Sequence, residues 1–113
     1  MKLRSGKVTN KLYTCKTQRE AMQESLRQLH VVDAMSIDQR IEYCAKMYAI
    51  LFNNLNIIKF NQVKLTIIIG CANRHICEIR ENISLIKAVD AIDTIQLLED
   101  VICELSKKIN KTN

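Results

Sequence analysis

Not one proline occurs in the 113 residues, and beyond the first six positions the only glycine is Gly70. Sandwiches and barrels place those two residues at their many turns, whereas long uninterrupted helices do without them. The chain therefore reads as all-α. Its length suits a single domain that buries a core without staples, and isoleucine is the commonest of the apolar side chains available for that core.

Periodicity divides the chain into four amphipathic helices, about 17–30, 37–55, 61–83 and 85–109, the pattern of a four-helix bundle. Thr17 to Glu20 and Ser36 to Gln39 have capping-box spacing, in which side chains satisfy the free amides at a helix start. In the first helix Met22, Leu26 and Leu29 form the apolar stripe, with Glu24 and Arg27 away from it. In the second the stripe is Ile37, Ile41, Cys44, Tyr48, Leu51 and Leu55, the strongest periodic signal in the chain. The stretch 64–69 is rich in β-branched residues and is followed by Gly70, as a strand with a stop would be. One apolar phase nevertheless runs through Leu65, Ile69, Ala72, Ile76, Ile79 and Ile83, which favours one helix. The last helix carries Leu85, Ala88, Ile92, Ile95, Leu98, Ile102, Leu105 and Ile109.

The net charge of +5 is unevenly placed. Residues 1–16 hold Lys2, Arg4, Lys7, Lys11 and Lys16 and no acid, while residues 17–113 are neutral overall. The expectation is a flexible basic arm, 1–16, on a single helical domain, 17–113. Such an arm suits an acidic protein surface or nucleic-acid phosphates, without sequence readout. Five cysteines, no segment resembling a secretory signal and no apolar run long enough to span a bilayer point to free thiols. The expected setting is intracellular and reducing, the cytoplasm or nucleus.

Catalytic chemistry is hard to find. There is no nucleophile elbow and no phosphate-cradling loop, and Asp90/Asp93 and Glu99/Asp100 read as solvated helix faces. No enzyme activity, cofactor or small-molecule substrate is expected. Cys71, His75 and Cys77 are the best metal-ligand candidates, but the paired-cysteine spacing of a zinc site is missing.

Unequal helix lengths shape the functional expectation. At 1.5 Å per residue the first helix spans roughly 20 Å and the last roughly 38 Å, so part of the long stripe needs other cover. Either the Val8–Tyr13 segment folds back or a second copy docks, and the heptad-like spacing favours self-association. Ile92, Ile95, Leu98, Ile102 and Leu105 are the expected helix-packing contacts. The reading is a non-enzymatic helical protein-interaction module, a structural or assembly component. The alternative is a nucleic-acid-associated protein acting through its arm.

The opening Leu3-Arg4-Ser5-Gly6-Lys7, with a composition rich in Ile, Lys and Asn, resembles small proteins of nucleocytoplasmic large DNA viruses. That resemblance implies a component of the virion or virus factory, with a minor capsid, cementing or DNA-packaging role.

Overall fold

Both capping boxes form. Thr17 Oγ1 accepts from Glu20 N at 3.1 Å while the Glu20 carboxylate accepts from Thr17 N. Ser36 and Gln39 exchange the same pair of bonds. They open α2 (Gln18–Asp33) and α3 (Ile37–Asn53). The computed structural model describes residues 10–86 and 90–112, with side chains as far as Ile109. Three further helices complete the architecture: α1 (Lys11–Thr14), α4 (Gln62–Glu81) and α5 (Ala91–Thr112), with a 3-10 turn at Ile83–Leu85. The fold is all-α and bundle-like, and the described residues contain no strand.

Residues 64–69 are helical and α4 runs straight through Gly70. The strand alternative fails because the apolar phase continues on both sides of that glycine and the core needs both halves. Leu65, Ile68, Ala72, Ile76 and Ile79 are buried on one face. The helix ends earlier than expected. The Asn82 side chain donates to the Glu78 carbonyl at 2.7 Å, closing the last turn, and Ile83 is left exposed. Likewise Asn54 donates to the Ile50 carbonyl at 2.7 Å and ends α3. Between these ends the α3 face is as expected, with Ile41, Cys44, Tyr48 and Leu51 buried.

Two expectations need correcting. α5 starts at Ala91 instead of residue 85: Leu85 closes a 3-10 turn and is exposed, and Ile86 after it has an extended backbone. Its buried line is Ala91, Thr94, Leu98, Val101 and Leu105, rotated from the expected one. Short side chains at Ala91 and Thr94 sit on the buried face, and Ile92 is left outside. Ala88 lies outside the described residues. Second, the folded body begins no later than Asn10, so residues 10–16 are not flexible arm. Leu12 and Tyr13 are 4% and 3% exposed. They fold back into the core, held by α2, α3 and α4, and Val8 lies outside the described residues.

α4 packs against both α5 and α2, and α3 packs against α5, so one core runs through all four long helices. α1 lies on α2. Burying a large aliphatic side chain stabilises by roughly 1.5–3 kcal/mol, and Ile41, Leu51, Leu65, Ile68, Ile79, Leu98 and Leu105 are all fully buried.

Candidate functional site

α2 turns the wrong way round. The stripe Met22, Leu26 and Leu29 was expected inside, but Met22 is 50% and Leu26 66% exposed, with Leu29 half-buried. The face turned inward instead holds Ala21, Glu24, Ser25 and Val32. The reason lies in α1. Asn10 caps α1 by accepting from Leu12 N at 2.9 Å, and the same oxygen accepts from Gln28 Nε2 at 2.7 Å. Gln28 also donates to the Glu24 carboxylate at 3.0 Å, and Tyr43 Oη donates to Gln28 Oε1 at 3.4 Å. Arg27 completes the group by its Nε bond to Glu24 at 3.0 Å. Hydrogen bonding from Arg27 holds the Glu24 carboxyl below its ordinary range despite burial. A buried polar group is tolerated only when its bonds are made, and this network makes them. Its formation leaves Met22 and Leu26 facing solvent beside Gln18, Arg19 and Gln23.

The candidate packing residues of α5 are mostly used within the chain. Leu98 and Leu105 are fully buried, and Ile95 and Ile102 pack against the same core half-buried. Ile92, at 70% exposure, faces outward. Of the basic candidates, Lys2, Arg4 and Lys7 lie outside the described residues. Lys11 and Lys16 are exposed and line a groove that also holds Glu20, Glu24 and Arg27.

Cys71, His75 and Cys77 are not brought together. Cys71 and His75 lie one turn apart on α4 and line one cavity, whereas Cys77 is exposed. No group of three or more His, Cys, Asp or Glu residues placed to hold a metal occurs among the described residues. All five cysteines are free, and Cys77 and Cys103 are exposed. Each sits on the outer side of its helix. His75 is 4% exposed, set edge-on to the rings of Tyr43 and Tyr48 with centroids 6.4 and 5.8 Å away. Burial pushes its imidazole down to about 4, so it is neutral near pH 7. Its Nδ1 is buried without a hydrogen-bond partner.

Two features have no clear signal in the sequence. Lys64 is 2% exposed, its ammonium donating at 3.0 Å to the carbonyls of both Tyr13 and Lys59. Desolvation lowers its pKa. At the opposite end of α4, Glu78 accepts from Arg40 at 2.6 Å and Arg74 at 3.2 Å, and Arg74 reaches Asp33 at 3.0 Å. This cluster ties together the end of α2, the start of α3 and α4.

No family model, curated protein or solved structure matches the chain. No helix among the described residues is long and apolar enough to cross a membrane.

Proposed function

We propose that the chain is a non-enzymatic helical protein-interaction module, an assembly component that docks on a second copy of itself through the outward face of α2. The observation that carries this reading is the reversal of that helix, which keeps Glu24 and Ser25 inside while Met22 and Leu26 remain in water. Two such side chains forgo roughly 1.5–3 kcal/mol each unless something covers them. A second helix offering the same face would do so. A virion or virus-factory setting, as the N-terminal resemblance implies, is compatible with such a component.

The non-enzymatic reading is supported by the state of the one Cys–His pair. Burial raises the Cys71 thiol, the opposite of what an attacking thiolate requires, and His75 lies edge-on to two tyrosine rings. Nucleic-acid binding through the arm is the weaker alternative. Lys11 and Lys16 share their groove with Glu20, Glu24 and Arg27, a lining mixed in sign that offers a phosphate backbone little net attraction.

Sedimentation equilibrium across a concentration series tests the proposal. The intact chain should form a dimer as concentration rises, and Leu26→Lys should remain monomeric with unchanged helicity. A chain still monomeric at high micromolar concentration rejects it. DNA and RNA titrations across a salt series, comparing the intact chain with Lys2→Gln/Arg4→Gln/Lys7→Gln, test the alternative. Those substitutions spare Leu12 and Tyr13, which a deletion to residue 16 would take from the core.

A further inference from the structure

We propose that Met47, Cys71 and His75 form a buried binding site for a soft monovalent metal ion of the Cu(I) class. The three side chains line one cavity of about 10 Å³, room for about one water-sized guest. Cys71 and His75 project from successive turns of α4, and Met47 of α3 lines the same cavity, its sulfur accepting from the Asn10 side chain at 3.4 Å. Thiolate, thioether and imidazole together make a soft donor set, and thiolate and thioether select Cu(I) over harder ions. The second observation is independent of residue type. His75 Nδ1 is a buried ring nitrogen with no hydrogen-bond partner, an arrangement that costs free energy unless a guest completes it.

Charge decides between metals. The charged groups acting on His75 are Glu78, Asp33, Arg74 and Arg40, two of each sign, which already balance. A monovalent ion exchanged for the Cys71 proton adds no net charge: the S–H bond breaks, an S–metal bond forms and the proton leaves to water. No electron moves, provided the ion arrives as Cu(I). A divalent ion on the same three donors would leave one uncompensated positive charge inside, which is expensive. Zinc also prefers four ligands, and the described residues offer no fourth. Cys71 is only half-buried, so an ion can enter from its side, while the rings of Tyr43 and Tyr48 close the other.

Sequence spacing suggested Cys77 as the third ligand, but Cys77 is exposed and Met47 takes that place. The site is independent of the α2 face, so failure of either proposal leaves the other standing. The test is anaerobic titration with Cu(I) in competition with a chromogenic Cu(I) chelator, with Ag(I) as a redox-inert substitute. The protein carries Cys15→Ser, Cys77→Ser and Cys103→Ser, to remove exposed or half-exposed thiols that bind soft metals indiscriminately. Cys44 can stay, because it does not line the cavity and burial pushes its thiol up to about 12.

One equivalent should bind and raise the melting temperature. Cys71→Ala should weaken binding by about 100-fold or more and the size-conserving Met47→Leu by about 10-fold. Loss of tight binding once the exposed cysteines are replaced would overturn the proposal, as would unchanged affinity in Met47→Leu. Should the cysteine variants fail to fold, ¹⁵N-histidine NMR of the intact chain decides the matter. The chain has only two histidines, and the buried one, His75, must shift with the first equivalent of Ag(I) while the exposed His30 does not. An unmoved His75 rejects the site.

Discussion

α2 and α3 begin alike and end up facing opposite ways. Each opens on a complete capping box, and they are 16 and 17 residues long. Yet α3 turns Ile41, Cys44, Tyr48 and Leu51 into the core, while α2 turns Glu24 and Ser25 inward and leaves Met22 and Leu26 outside. The caps set where a helix starts. Which way it faces is set by what lies across from it, and α2 lies against Asn10 and Tyr43, which offer hydrogen bonds.

The sharpest way to break this comparison is truncation on matching faces. Ile41→Ala in α3 should destabilise by roughly 2–5 kcal/mol, as buried large-to-small changes do. Leu26→Ala in α2 should stay within about 0.5 kcal/mol in dilute monomer, as exposed substitutions do. Urea denaturation of the two variants side by side checks both numbers, and equal losses would mean that α2 hides its apolar face after all.

Acid should strain the shared interior next. His75 of the metal-free protein titrates near 4 when folded, chiefly through burial, against about 6.5 unfolded. Between those values the unfolded chain binds a proton that the folded chain refuses. Stability is therefore full above about pH 6.5 and falls as pH drops towards 4, by up to about 3 kcal/mol in total. Urea midpoints between pH 7 and 4 should show that slope, and His75→Phe should flatten it.

The caps should show no such asymmetry. Thr17→Ala and Ser36→Ala should each cost about 1 kcal/mol, because a cap bond is local and indifferent to the direction the helix faces. Thermal melts of the two variants should therefore shift by similar amounts. Smallest, and opposite in sign, is Gly70→Ala. A Cβ there meets nothing within 4 Å, so the change should stabilise α4 by up to about 1 kcal/mol, visible as a higher denaturation midpoint.

What could be read from the sequence was what depends on neighbours in the chain. Thr17 with Glu20 and Ser36 with Gln39 announced two helix starts, and the Ile41-to-Leu51 spacing announced the face of α3. The unbroken phase across Gly70 carried α4 through a locally strand-like run. What could not be read depends on distant partners. Nothing near Leu26 says that Asn10 will claim the other side of its helix for polar contacts. Nothing near Lys64 says that its ammonium will find two carbonyls, one of them 51 positions away. Pairing by spacing likewise put Cys77 beside Cys71 and His75, whereas Met47, on another helix, shares their cavity.

The four-residue α1 is far too short to hold a helical shape alone. Beyond its Asn10 cap its anchors come from elsewhere: Tyr13 Oη donates to the Met47 carbonyl at 3.0 Å, and Lys64 grips the Tyr13 carbonyl from α4. Those two bonds need α3 and α4 in place, and a third, from Gln28 to Asn10 at 2.7 Å, needs α2. The segment is thus a clasp that joins three separate helices through one short turn. Its Leu12 and Tyr13 are at once part of the core and one wall of the cavity beside His75, so whatever loosens the clasp also opens that cavity.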